Sequence, residues 1–466
     1  CMNVRGGYNI MLQGRPGASL EVLPEPEALH LPLASERFSF TDVRVADGQS
    51  VLPGQVLAKD PSNYSVPLLA PRAGRVRLDA VEGHITLEEI THAPEEPYHP
   101  DEDAEHVARD MGSAGMRRYK LLGLGAWQFF YDAHTQALPD PFGTPQAVIV
   151  STLRLASYVA RGDVQLHKRL SSFTRGLEHL QSLLEYEPIY LVMPEIDSQF
   201  ARQVRETLRG YAWVHLVQVP LRYPGGHLAV LARGLGLKHR PDKSVWGLHV
   251  EGVLALDRAL TLSRPCTVRI VSLGGPAVRS PVHLKAMPGY PIDAILDSRV
   301  DGDALRVIDG GVLAGEALPE QRRGLSVECA GLTVLPEHQE REFLGFVRPG
   351  FDRRSYSNCF GSLLRRAFPE RMTTAMRGEG RPCISCGFCE EVCPVSIMPH
   401  LIHKMLYQDE LEVAERAGTD RCIGCGLCSF VCPSKIELCG ELIEAQETIR
   451  RELHGAETPD PAEVAP

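Results

Sequence analysis

The chain lacks any uninterrupted apolar run of about 18 residues, the length a bilayer-spanning helix needs. It also lacks a basic start followed by an apolar stretch, so no secretory signal is expected. No P-loop, no Ser/His/Asp signature and no paired-carboxylate pattern stands out, and no single side chain reads as an acid–base catalyst. Positive charge is in deficit: 49 Lys and Arg face 59 Asp and Glu, a net charge of −10, which argues against nucleic acid as a partner. What is left is a chain of 466 residues with an ordinary apolar fraction of 44%, enough for several cores and about three domains.

What the chain does have is cysteine in one pattern, twice. Eight of its 13 cysteines lie in Cys383-Ile-Ser-Cys386-Gly-Phe-Cys389-Glu-Glu-Val-Cys393-Pro394 and Cys422-Ile-Gly-Cys425-Gly-Leu-Cys428-Ser-Phe-Val-Cys432-Pro433. This is the C-x2-C-x2-C-x3-C-P run of bacterial two-cluster ferredoxins. Three cysteines on a tight loop reach three irons of one [4Fe–4S] cube, and the fourth is swung to the other cube. The expected ligands are Cys383, Cys386, Cys389 and Cys432 for the first cluster. Those for the second are Cys422, Cys425, Cys428 and Cys393. Gly387, Gly424 and Gly426 suit loops that wrap a cluster, and Pro394 and Pro433 end each loop with a fixed φ. Zinc and disulfides are the alternatives. Zinc sites come as separated C-x2-C pairs rather than four-cysteine runs, and disulfides need an oxidising compartment. Cys1, Cys266, Cys329, Cys359 and Cys439 have no second cysteine at ligand spacing and read as free, mostly buried thiols.

The rest of the chain divides by pattern. Residues 1–35 are rich in Gly and Pro and read as extended chain and loops. Short strands cut by turns fill 40–92, the signature of a small all-β barrel or sandwich. Residues 93–110 are acidic and proline-bearing, a linker by composition. Candidate strands Ala147–Val150, Ile189–Met193 and Val214–Val219 then alternate with helical patterns such as Phe173, Leu177, Leu180 and Leu184, which indicates an α/β layer with a parallel sheet. Strands return from 266 to 330, and an arginine-bearing connector, with Arg348, Arg353, Arg354, Arg365, Arg366 and Arg371, precedes the cysteine runs. That basic patch suits either acidic lipid, an acidic redox partner or a solvated face. Between the runs, Leu401, Ile402, Met405 and Leu406 fit one face of a short helix, and 440–453 continue as an amphipathic helix.

Several segments together resemble one family. They are Arg5-Gly-Gly-Tyr8, Gly54-Gln-Val-Leu57, Ala70-Pro71-Arg-Ala-Gly74, Pro224-Gly-Gly-His227, Arg269-Ile-Val-Ser-Leu-Gly-Gly-Pro276, Arg341-Glu-Phe-Leu-Gly-Phe346 with Pro349-Gly350, and Phe430-Val-Cys-Pro-Ser-Lys435. The chain resembles the A subunit of the sodium-translocating NADH:quinone reductase and the related C subunit of the Rnf ferredoxin:NAD oxidoreductase complex. The resemblance implies an α+β multidomain fold. Its parts would be an N-terminal barrel-sandwich hybrid (lipoyl-like) domain at 1–100, a Rossmann-like α/β domain at 101–262 and a β-grasp (soluble-ligand-binding) domain at 263–330. A connector at 331–375, a helical dicluster ferredoxin domain at 376–454 and a disordered tail at 455–466 would follow. It also implies a peripheral subunit on the cytoplasmic face of the cell inner membrane, with other subunits of a respiratory complex as partners.

The chain departs from these relatives in two places, its cysteines and a glycine-rich loop. It retains all eight cluster cysteines, as the Rnf subunit does and the usual A subunit does not. The lipoyl-like stretch carries Asn63 where a carrier holds its modified lysine, so the barrel reads as structural and Lys59 as a surface lysine. Where the Rnf subunit has a glycine-rich loop for FMN and NADH, this chain reads Leu122-Gly123-Leu-Gly125-Ala126-Trp127-Gln-Phe-Phe130. Phosphate binding needs open main-chain N–H groups, so FMN and NADH are not expected here. His227 reads as a turn histidine, with quinone contact as the alternative. His215, His239 and His249 have no ligand spacing. The expected function is electron transfer within a translocating NADH:quinone reductase. The alternatives are a scaffold with clusters as staples or a flavin-bearing NADH dehydrogenase subunit.

Overall fold

The computed structural model describes residues 2, 4–95, 112–196, 198–240, 242–338, 356, 364, 368–375 and 380–452. The linker beyond residue 95, most of the basic patch, the Arg341–Phe346 and Pro349-Gly350 segments, Cys1, Cys359 and the tail lie outside them; Arg371 is described, and exposed. The chain forms two compact units. One gathers residues 1–3, 14–221 and 225–336, the other residues 4–13, 222–224 and 337–466.

The first unit is a mixed α/β structure with four sheets. Two small antiparallel sheets come from the turn-rich region. One orders Leu29–Pro32, His84–Thr91, Ala73–Arg77 and Ser50–Val51; the other orders Asp42–Val43, Val56–Asp60 and Val66–Leu69. The second of these holds Asn63 in the turn between its last two strands, where the Asn63 amide donates to Asp60 Oδ2 at 2.8 Å and to the Arg37 carbonyl at 3.1 Å. Lys59 is not at the surface but half-buried within a strand, because its strand pairs on both sides.

The third sheet orders Val214–Val219, Ile189–Pro194, Ala147–Ser151 and Val245–His249 in parallel, with Tyr131–Asp132 antiparallel at the edge. Ala147–Ser151 is buried at every position, as a strand covered on both faces must be. The helix Leu170–Gln181 buries Phe173, Leu177 and Leu180, the expected stripe. It meets the helix Val250–Leu262 so closely that a Cβ on Gly176 would stand 2.1 Å from the Val253 carbonyl oxygen.

The fourth sheet orders Leu20–Val22, Val282–Ala286, Arg269–Gly274, Gly331–Pro336, Leu305–Asp309 and Glu316–Ala317. Two of its strands come from regions the sequence reads differently. Leu20–Val22, in the extended N-terminal chain, pairs parallel with Val282–Ala286, and Gly331–Pro336, at the start of the connector, runs parallel to Arg269–Gly274. Both additions are long-range pairings that no local pattern announces.

The second unit is helical in its described C-terminal part, with helices Phe388–Glu391, Pro399–Leu406, Leu411–Arg416, Leu427–Val431 and Leu438–Glu452. The N-terminal segment 4–13 lies against it. Gly7 N donates to the Val392 carbonyl at 2.8 Å, and Tyr8 pairs with Tyr223. Gly6 has φ +62°, and a Cβ there would stand 2.5 Å from the Cys393 carbonyl oxygen, which accounts for a glycine in Arg5-Gly-Gly-Tyr8. Among the described residues no helix is long and apolar enough to cross a membrane.

Candidate metal centre

The two cysteine runs fold as copies of one another. Ser385 and Gly424, each two residues after the first cysteine, have φ +53° and +61°. Gly387 and Gly426 have φ +76° and +74°, and each caps a short helix that carries the third cysteine. Ser396 and Lys435, three residues after the fourth cysteine, have φ +55° and +59°. A second helix then starts at the same offset in each copy, at Pro399 and at Leu438. Positive φ costs a non-glycine residue, so these matched pairs of left-handed turns point to a loop path imposed by what it encloses. The copies are stitched together where the Arg381 N–H donates to the Ser434 carbonyl at 2.8 Å and the Ser434 hydroxyl donates to the Pro382 carbonyl at 3.0 Å.

Cys389, Cys393, Cys428 and Cys432 are buried, Cys383, Cys422 and Cys425 are half-buried, and Cys386 is exposed. The buried thiols fall into two packed groups. One holds Cys389, Cys428, Cys432 and Cys439 around Leu438. The other places Cys393 with Ile402, Ala414 and Leu442, with Cys422 packed against it. Cys389 of the first run thus shares a packed group with Cys428 and Cys432 of the second, and Cys422 of the second packs against the group that holds Cys393 of the first.

The donor set is all sulfur, which suits iron–sulfur chemistry. Among the described residues no three ligating side chains converge on a point that would hold a single ion. Thiolates at the corners of a cube stand further apart than that. Burial pushes the Cys389 thiol up to about 11 and Cys425 up to about 12. Hydrogen bonding to Cys439, and then burial, raise Cys422 and Cys428 as well.

Three further side chains belong to this centre and were not singled out from the sequence. His400 brings its Nδ1 to 3.8 Å from the Cys389 sulfur. Cys439, read as a free thiol, lies against the thiols of Cys422 and Cys428, whose hydrogen bonds to it hold it below the ordinary thiol value while the cysteines carry their protons. The Tyr223 hydroxyl donates to the Cys425 carbonyl at 2.7 Å. Superposing the two cysteine runs as repeats would have found the first two, since each stands seven residues after a fourth cysteine. Nothing local marks Tyr223, which comes from 202 residues away.

The other candidates have structural duties. Around Leu122–Phe130, the main-chain N–H groups of Leu124, Gly125, Ala126, Phe129 and Phe130 all donate to carbonyls within 120–127. Trp127 is fully buried, stacks on Phe130 at 4.1 Å, meets Trp246 edge-on at 5.2 Å and donates from its indole to the Pro139 carbonyl at 2.9 Å. His227 caps the helix Leu228–Gly234, its Nδ1 accepting from Ala229 N at 3.3 Å, and burial pushes it down to about 4. His215 and His239 are exposed, and His249 precedes the helix Val250–Leu262, held well below its ordinary value by burial. Cys266 and Cys329 are free, with burial raising Cys266 to about 12 and also holding Cys329 well above the ordinary thiol value.

Residues 270–319 match the family model described as NQRA C-terminal domain, and residues 382–436 match that of the 4Fe-4S dicluster domain. Curated relatives align over nearly the whole chain. The A subunit of the Na(+)-translocating NADH-quinone reductase of Pseudomonas aeruginosa PAO1 is 26% identical over 424 residues, 90% of this chain and 92% of its own length. The chain is a homologue of that A subunit. Its counterparts of the same name from Psychromonas ingrahamii and Serratia proteamaculans are 24% and 26% identical over the same shares of both chains. A solved structure of an NAD+-reducing [NiFe]-hydrogenase superposes on 76% of this chain and 70% of its own, with a TM-score of 0.42 and 14% identity, too loose to carry an argument.

Proposed function

We propose that this chain is the peripheral electron-transfer subunit of a membrane NADH:quinone oxidoreductase resembling the sodium-translocating pump, and that it passes single electrons through two [4Fe–4S] clusters. The observation that carries the reading is the duplicated cysteine loop, with matching left-handed turns and crossed packing of its buried thiols, in a chain of which 90% aligns with an A subunit of such a reductase. Cys383, Cys386, Cys389 and Cys432 would hold one cluster, and Cys422, Cys425, Cys428 and Cys393 the other. When bound, the clusters supply reversible one-electron storage. The protein's part is to hold eight thiolates in place, to exclude water from Cys389, Cys393, Cys428 and Cys432, and to bring both sites into one helical unit. Exposed Cys386 gives that unit an edge open to a partner.

The finer architecture is part of the proposal: a barrel-sandwich hybrid ending near residue 100, a Rossmann-like layer to about 262, a β-grasp module to about 330 and a dicluster domain from 376 to 454. The other subunits of the complex are the partners, at the cytoplasmic face of the inner membrane, and a quinone is a further candidate partner. The Leu122–Phe130 loop, in which the N–H groups of Leu124, Gly125, Ala126, Phe129 and Phe130 are already bonded and whose space Trp127 fills, supports an electron carrier over a flavin-bearing dehydrogenase. Anaerobic purification with iron and sulfide counts, and EPR before and after reduction, tests the reading. About eight irons and magnetically interacting reduced clusters are expected from the doubled motif. A folded chain with one zinc, or with no metal, overturns it and leaves a scaffold.

A further inference from the structure

The two cysteine copies share a backbone but differ at one contact. In each, the residue seven positions after the fourth cysteine lies in the first turn of the second helix and reaches the third cysteine of its own run. In the first copy this is His400, with Nδ1 at 3.8 Å from the Cys389 sulfur; its main-chain N–H also bonds that thiol. In the second it is Cys439, buried in one packed group with Cys428, its main-chain N–H tied to the Ser429 hydroxyl at 2.9 Å. The spacing from third cysteine to this residue is the same in both copies, 389 to 400 and 428 to 439. The repeat therefore aims one side chain at one sulfur twice and fills the position with two different donors.

We propose that His400 and Cys439 are the residues that make the two redox sites unequal, so that the site held by Cys383, Cys386, Cys389 and Cys432 has the higher potential and receives the electron from the other. This rests on the two-cluster reading above. A hydrogen bond to a ligand sulfur stabilises the reduced, more negative state and raises the potential. An imidazole N–H is a full donor, whereas a thiol S–H is a weak one. With Cys422 and Cys428 assigned as thiolate ligands, neither would have a proton left to donate to Cys439, which would keep its own and act as that weak donor. Solvent exposure works in the same direction, because Cys386 is exposed while every ligand of the second set is at least half-buried. The transfer would move one electron from the cluster that the Cys422 set would hold, oxidising it, to the one that the Cys383 set would hold, reducing it. No bond breaks and no proton moves. The electron comes from a low-potential one-electron donor.

The test is an EPR-monitored dithionite titration of the anaerobically purified full chain, with iron counted in each sample. Wild type should hold about eight irons and give two separate midpoints. His400→Phe should keep the iron and lower the upper midpoint by at least tenfold in its reduced-to-oxidised ratio, about 59 mV for one electron. His400→Gln, which keeps a donor, should restore most of it. Cys439→Ala should lower only the lower midpoint, and by less. An upper midpoint that stays put in His400→Phe, or a lower one that moves instead, overturns the proposal. So does the loss of four irons in Cys439→Ala, which would make Cys439 a ligand. If His400→Phe itself loses iron, the Cys439→Ala titration decides, and an unmoved lower midpoint there overturns it. Wild type without eight irons would instead defeat the two-cluster reading.

Discussion

The two units are held together by different physics. The first has one large continuous apolar core, in which Trp127, Trp246, Phe38, Phe40, Phe130 and Phe173 are almost fully buried. Among the described residues of the cysteine-bearing unit, the packed groups around the cysteines are small, two of them of six and five buried residues, and cysteines make up five of those eleven. At roughly 25 cal/mol per Å² of apolar surface, groups of that size offset little of the entropy of ordering some seventy residues. A unit whose packed groups are this small needs a staple, and four of the cysteines in them are the proposed cluster ligands. In one unit the fold makes a scaffold that ligands could visit. In the other the fold and its cofactor are the same object.

The sharpest way to break this contrast is to remove the iron. A chelator under oxidising conditions should abolish amide-exchange protection across 383–449 and leave protection of 147–151 and 189–194 unchanged. Equal loss in both regions would mean the units do not differ as argued. The next effect in size comes from single ligands. Cys386→Ser should leave about four of eight irons and silence one EPR signal, with the unfolding of the first unit unaffected. Retention of all eight irons would remove Cys386 from the ligand set.

Within the first unit the effects are those of packing. Trp127→Ala should cost about 3–5 kcal/mol in denaturant unfolding while the iron content stays constant, because it empties a stacked aromatic site and orphans the Pro139 carbonyl. A change under about 1 kcal/mol would reopen the loop as a ligand site. Asp60→Ala should cost about 2–3 kcal/mol, since its buried carboxylate accepts from Ser39 N, Ser62 N and Oγ and Asn63 Nδ2. The smallest effect is a pH dependence. Burial holds folded His227 down to about 4, below the unfolded value of about 6.5. Its neutral-state stabilisation is therefore present above about 6.5 and lost as pH falls toward 4. His227→Asn keeps the helix cap and should flatten that slope by roughly 1 kcal/mol. An unchanged slope would assign the acid sensitivity to other groups.

Legibility followed the range of the interactions. The metal centre was readable because its ligands sit at fixed short spacings, which a linear pattern records directly. The parallel sheet was readable because Ala147–Ser151 and Ile189–Pro194 carry continuous apolar runs, and the helix Leu170–Gln181 because its stripe recurs at helical period. The strands Leu20–Val22 and Gly331–Pro336 were not, since each is defined by a partner that lies far off in sequence. Lys59 was misjudged for the same reason: being half-buried depends on two neighbouring strands.

By itself the sequence determined the class of cofactor, the eight candidate thiols and the family resemblance, because ligand spacing and glycine-rich turns are local properties of a chain. Only the tertiary structure decided which buried thiols of one run meet those of the other, that His400 and Cys439 occupy the same place in two copies, and that Tyr223 reaches Cys425. Those contacts depend on how helices fold back on one another, and no spacing along the chain encodes that.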